Sequence, residues 1–127
     1  MTCVAVGIIR RDGKILLCQR KRGARYELLW EFPGGKIEEG ESLFDCLSRE
    51  LKEELSIRLH AIDAVETSTA YYEDGGHYEV SYCHITQFDG EPVNNVFEQI
   101  AWMRPTDLSA LDILEGNRSI VKRLAER

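Results

Sequence analysis

Three glutamates, Glu50, Glu53 and Glu54, stand close together in a stretch whose leucines recur at helical spacing. At about 100° per residue the three fall within one arc of a helix. Leu43, Leu47, Leu51 and Leu55 make the neighbouring apolar stripe, and Glu54 lies on its shoulder beside Leu47. The pattern predicts carboxylates that line a groove wall. Like charges three and four residues apart cost a helix about 0.2–0.5 kcal/mol per pair. A hard divalent cation removes that repulsion, and an all-oxygen donor set suits Mg²⁺, with Mn²⁺ as the alternative. The competing reading is a solvated acidic face, with Arg49 paired to Glu53 one turn on.

The elements that must hold these groups are legible upstream. Trp30-Glu31-Phe32 reads as a short strand. Pro33-Gly34-Gly35 then turns the backbone, since Pro lacks an N–H and Gly permits close approach. Ser42 is the expected N-cap of the acidic helix, with Asp45 three residues on.

Gly35, then Glu41, then Arg49-Glu50-Leu51, Glu53-Glu54 and Ile57 form a long pattern that resembles the Nudix box. One position departs. The family usually has Gly where this chain has Ser56, and that Gly commonly ends the helix in a left-handed conformation. A helix exit different from the family's is therefore expected. The resemblance extends to VAVGIIRRDGKILLCQR, WEFPGGKIEEGE and GNRSIVKRL, which look like the MutT branch of hydrolases acting on oxidised guanine nucleotides. Residues 57–96 match only in strand pattern.

The resemblance implies an α/β (α+β) fold, an α-β-α sandwich with a mixed central sheet. It implies cleavage of a nucleoside triphosphate to monophosphate and pyrophosphate with a divalent metal. By position, the Gly34 carbonyl and the carboxylates of Glu50, Glu53 and Glu54 are the metal ligands, and Glu98 is the candidate for a further one. Arg49 would hold a carboxylate in place, and Glu41 would support the box. Either Glu53 or Glu50 would be the general base. Arg20, Arg25, Glu31, Phe32, Pro33 and Gly34 align with substrate-contacting positions. Asn117 falls where the branch reads an oxidised purine with an amide, which offers both a donor and an acceptor. The alternative for Asn117 is the N-cap of the last helix, after Gly116. Arg20 and Arg25 read equally as loop charges, and Phe32 as core. His77 and His84 carry no assigned chemistry; Trp30 and Trp102 read as core or groove wall.

The 127 residues suit one domain, 1–127, with a real core. Net charge is −6, which argues against stable nucleic-acid binding and against anionic membranes. Positive charge is concentrated in residues 10–25. The four cysteines show no metal or redox spacing, and Cys3, Cys18 and Cys46 read as small core residues. Without a secretory signal, the cytoplasm is the expected location. The sequence sets no oligomeric state.

In order, strands are expected at 3–10 and 14–20 around an Asp12-Gly13 turn. A basic loop follows at 21–25, then a long or broken strand over 57–72 and a loop at 73–76. Further strands are expected at 77–88 and 97–104, with a turn at 89–92 between them. A helical turn at 106–111 and a helix at 117–126 close the chain. Three functions are in play. The first is an Mg²⁺-dependent pyrophosphohydrolase preferring 8-oxo-dGTP. The second is the same chemistry on CTP or 5-methyl-dCTP. The third is a non-catalytic recognition module of the same fold.

Overall fold

The computed structural model describes residues 1–72 and 74–126. Glu73, expected in a loop, lies outside the described residues. The strands are β1 (Thr2–Arg11), β2 (Lys14–Gln19), β3 (Trp30–Glu31), β4 (Gly34–Lys36), β5 (Arg58–Leu59), β6 (Ala64–Tyr71), β7 (His77–Ile85), β8 (Phe88–Asp89) and β9 (Gln99–Met103). The α-helices are α1 (Leu43–Leu55) and α2 (Arg118–Ala125).

β1 runs through the middle because its run from Cys3 to Ile9 is apolar. It pairs parallel to β7 and antiparallel to β4 and β2. β6 pairs with β7, while β3 and β9 pair with β2, giving a mixed seven-stranded sheet. Alternation sends Ala5 and Ile9 of β1, with Leu16 and Cys18 of β2, to the α1 side. Val6, Ile8, Ile15 and Leu17 go to the α2 side. A continuous apolar run is what a strand covered on both faces requires. The expected α-β-α sandwich is the result, with fold class α+β. Among the described residues no helix is long and apolar enough to cross a membrane.

The Asp12-Gly13 turn has both residues at positive φ, 52° and 76°, as a two-residue hairpin demands. The 57–72 stretch is broken into β5 and β6. The 77–88 stretch ends at Ile85, and Phe88 opens the short β8 against β5. The turn at 106–111 is a 3-10 helix, Pro105–Ala110. Cys3 is exposed rather than core. It shares the Ala5 face but stands at the start of β1, opposite the exposed Glu79.

The exit of α1 also corrects its expectation. Ser56 adopts the left-handed conformation itself, φ 58° and ψ 29°. The 93–95 segment makes this tolerable. Asn95 Nδ2 donates to the Glu53 carbonyl at 3.0 Å and to Ser56 Oγ at 2.9 Å. The backbone N–H groups of Val93 and Asn95 reach the Leu55 and Glu54 carbonyls. The helix's orphan carbonyls are thus satisfied from outside. Ser56→Gly removes the left-handed cost, and thermal unfolding should show it more stable by about 0.5–1 kcal/mol.

Candidate active site

The Ser42 cap forms as expected, its Oγ accepting from Asp45 N–H at 3.0 Å. From that start α1 brings Glu50 and Glu54 against β4. The Gly34 N–H donates to Glu54 Oε1 at 3.1 Å. Gly34, at φ 150°, backs onto the Ala5 carbonyl so closely that a side chain has no room. Gly35 is needed for a different reason. A Cβ there would lie 2.5 Å from Cδ of Glu50. Because that atom ends a flexible side chain, Gly35→Ala should fold normally and displace the carboxylate. A displacement near 1 Å costs about 10²-fold in turnover. Steady-state rates alongside a melting curve separate the two effects.

Arg49 ties this corner together. Its Nε and Nη2 donate to both oxygens of Glu41 at 2.8 Å, and Nη1 donates to Glu50 Oε1 at 2.8 Å. Its approach to Glu53, at 3.7 Å, is a looser contact. The bidentate bond from Arg49, then the Glu38 N–H, hold the Glu41 carboxyl down to about 2. Glu54 moves the other way. Burial, then its contact with Glu50, raises its pKa well above the carboxylate range.

Glu53 departs from the expected groove wall. It is 60% exposed, against 15% for Glu50. The helix explains this, since relative to Glu50 it places Glu54 about 40° toward the core and Glu53 about 60° the other way. Glu98 departs too. Its carboxylate is engaged by the Arg22 backbone N–H at 3.1 Å, in the loop between β2 and β3, and does not line the cavity. Among the described residues no three acidic, His or Cys side chains converge as they would around an ion.

Beside Glu54 opens a cavity of about 450 Å³. Arg20, Arg25, Glu31, Phe32, Gly34 and Asn117, all expected from the resemblance to contact substrate, line it. Pro33 does not. It is buried, and its carbonyl accepts from Gly7 N–H at 2.8 Å, which secures the turn to β1. Phe32 serves core and cavity at once, packed edge-on to Tyr82 at 6.3 Å. Arg20 donates to Glu31 at 3.1 Å and to the Arg25 carbonyl at 2.7 Å. Burial pushes the Glu31 carboxyl up, and Arg20 partly offsets this. Tyr26 and Leu28 of the same loop are held at positive φ, 56° and 62°. Such strain persists only where neighbours impose it, here bonds from Leu28 N–H to the Arg20 carbonyl and from Gln19 Nε2 to the Leu28 carbonyl.

The aromatic wall of the cavity had no role in the sequence reading. Tyr26, Tyr72 and Tyr78 follow one another with ring centroids 5.6 and 5.3 Å apart. Alternation of Tyr78, Val80 and Tyr82 along β7 was the available signal. Which end of the face met a cavity depends on pairing with β1, which no local pattern carries. Arg25 reaches the same wall, ion-paired to Asp74, to which the Tyr26 hydroxyl also donates at 2.9 Å.

Asn117 enters from the far side. Trp30 of β3 bonds on both sides of Ile113, donating to the Asp112 carbonyl and accepting from Leu114 N–H. This fastens the chain along β3 and delivers Leu114 and Asn117 to the cavity. Asn117 occupies the N-cap position of α2 but makes no side-chain cap bond. Its Oδ1 instead accepts from the Tyr82 hydroxyl at 3.0 Å.

Residues 1–124 match the NUDIX domain. The chain belongs to the Nudix family. This Nudix hydrolase is 36% identical over 104 residues to the CTP pyrophosphohydrolase of Escherichia coli K12, covering 82% of this chain and 76% of that one. It is 31% identical over 122 residues to the 8-oxo-dGTP diphosphatase of the same strain, covering 95% and 94%. The solution structure of the E. coli ORF135 protein matches with a TM-score of 0.85 at 30% identity, over 96% of this chain and 86% of that one.

Nudix proteins typically use a divalent metal. The acidic corner fits one. Glu50 and Glu54 are adjacent carboxyls, part-buried, with Glu54 held against its own ionisation. An oxygen-only pair in that state is neutralised by a hard cation.

Proposed function

We propose that this Nudix hydrolase is a divalent-metal-dependent nucleoside triphosphate diphosphatase. It releases a nucleoside monophosphate and pyrophosphate, with 8-oxo-dGTP as the preferred substrate. The observation that carries the reading is the Asn117 amide, buried to 6% exposure, lining the cavity and not spent on capping α2. An amide so placed can meet a purine edge, and Glu31 in the same cavity can accept from ring N–H groups. The likeness to an 8-oxo-dGTP diphosphatase along nearly the whole chain supports the same choice.

In this reading Glu50 and Glu54 would hold Mg²⁺, with the Gly34 carbonyl and Glu53 or Glu98 as the further ligands. When bound, the ion supplies charge neutralisation on the phosphate oxygens and lowers the pKa of water. Arg49 keeps Glu50 oriented through its bridge to Glu41. Glu53, exposed and only loosely tied, accepts the proton of the attacking water, whereas Glu50 is already engaged by Arg49. Arg20 and Arg25 place positive charge on the cavity wall for an anionic substrate. Tyr26, Tyr72 and Tyr78 offer ring surface to the base.

CTP hydrolysis is the second reading. Glu31 favours it, as a cavity carboxyl able to accept from an exocyclic amino group, together with the likeness to a CTP pyrophosphohydrolase. A panel of 8-oxo-dGTP, dGTP, CTP and 5-methyl-dCTP with Mg²⁺ decides between them. The largest kcat/KM is expected on 8-oxo-dGTP with pyrophosphate as product. A maximum on CTP selects the second reading, and orthophosphate release throughout overturns the cleavage position.

A further inference from the structure

Among the described residues Asn117 is the one buried side chain that carries an amide or a charge. The Tyr82 hydroxyl faces it from the core, 3.0 Å from Asn117 Oδ1 and 3.0 Å from the Gly116 carbonyl. Tyr82 is 2% exposed and belongs to the α2-side core, so its ring is fixed by packing. The Asn117 amide nitrogen has no protein partner among the described residues. An amide can sit in either of two orientations, and the cavity then meets either donors or an acceptor.

We infer that Tyr82 is a specificity-positioning residue: its hydroxyl holds Asn117 Oδ1, so that the amide N–H groups face the cavity and select a base edge carrying a carbonyl oxygen over one carrying an amino group. The inference rests on the proposed reading of Asn117 as the base reader and adds what sets its polarity. With Oδ1 toward Tyr82, the phenolic proton is shared between two oxygen acceptors in a three-centre bond. With the amide reversed, the phenolic oxygen must itself accept. It is a weaker acceptor than an amide carbonyl, because one of its lone pairs is drawn into the ring. Burial also pushes the Tyr82 hydroxyl up to about 12, so it remains a donor throughout the neutral range.

The test compares dITP with dATP, which differ at purine C6 by a carbonyl against an amino group. Pyrophosphate release with Mg²⁺ is measured on wild type, Tyr82→Phe, Asn117→Asp and Asn117→Ala. Wild type should favour dITP in kcat/KM. Tyr82→Phe keeps the ring and frees the amide, so the dITP/dATP ratio should fall about tenfold, through KM, with kcat on dITP nearly unchanged. Asn117→Asp turns the cavity-facing group into an acceptor, and the ratio should invert. Melting curves confirm that the variants fold.

An unchanged ratio in a folded Tyr82→Phe overturns the inference. So does an equal loss on dITP, dATP and base-free ribose 5′-triphosphate, which marks a purely structural role. If Asn117→Ala leaves the ratio as it was, Asn117 is not the reader; the inference falls while triphosphate hydrolysis stands. If wild type hydrolyses no nucleotide at all, the proposed function fails and takes the inference with it.

Discussion

Glu53→Gln should lose about 10³-fold in kcat on a nucleoside triphosphate while melting within a few degrees of wild type. Both halves of that expectation come from where α1 places the side chain. Glu53 is 60% exposed, and its contact with Arg49 is 3.7 Å, so glutamine breaks nothing the fold depends on. The substitution keeps size and hydrogen-bonding shape, and removes the charge that either accepts a proton or joins the ion's ligands. A non-catalytic module would behave differently. It would bind nucleotide as well with glutamine as with glutamate, having no turnover to lose. Rates from pyrophosphate release, paired with equilibrium binding of a non-hydrolysable triphosphate, therefore separate enzyme from recognition module. Undiminished turnover in Glu53→Gln would remove the residue from the chemistry and leave Glu50 as the candidate base.

The box helix was legible because its signals are local. Leucine spacing gives the buried face, Ser42 gives the start, and helical geometry alone puts Glu54 nearer the core than Glu53. The wider arc was read too generously, since it grouped three carboxylates that the wheel itself separates by about 100°. Arg49 was read as holding a carboxylate. That its fork would close on Glu41, eight residues away in sequence, depends on how the 36–41 loop folds back on the helix. The exit of α1 shows the same boundary. Ser56 is unremarkable as a residue type, and its left-handed geometry survives through Asn95, thirty-nine residues on.

The cavity was legible by parts and not as a whole. Arg20, Arg25, Glu31, Phe32 and Asn117 were named from resemblance, and the fold brings them to one wall or another. The tyrosines were missed because two belong to the β6–β7 hairpin and its flank, where the chain carries no motif. Glu98 was the candidate for a further ligand by resemblance alone. Its carboxylate is claimed instead by the Arg22 N–H, a contact made only because β9 pairs beside β2. Asn117 had two readings of equal weight. The capping one fails because of Tyr82, thirty-five residues away, which takes the amide oxygen that a cap would have used.

Glu54→Gln should abolish turnover, by about 10³-fold or more, and yet raise the melting temperature of the metal-free protein. Burial is the first cause of the raised Glu54 pKa, and the Glu50 carboxyl is the next. The sign follows from linkage. Below the unfolded value of 4.5, folded and unfolded chains both hold the proton and no penalty exists. As pH rises above it, the unfolded chain releases the proton more readily than the folded one, so folding stability declines toward the folded pKa. Glutamine cannot ionise, still accepts from Gly34 N–H, and can donate to Glu50. Metal-free wild type should thus melt progressively lower than Glu54→Gln between pH 5 and pH 8. Magnesium should reverse the order. An ion that binds only the folded protein adds about 2.7 kcal/mol at a hundred times its Kd, which is about 10 °C for a chain of this size. Wild type should show most of that rise and Glu54→Gln little of it. Thermal scans after chelation, with and without Mg²⁺, read both effects without any substrate. A variant that melts lower than wild type without metal, and gains as much from Mg²⁺, would mean that the cation binds elsewhere than at the Glu50–Glu54 pair.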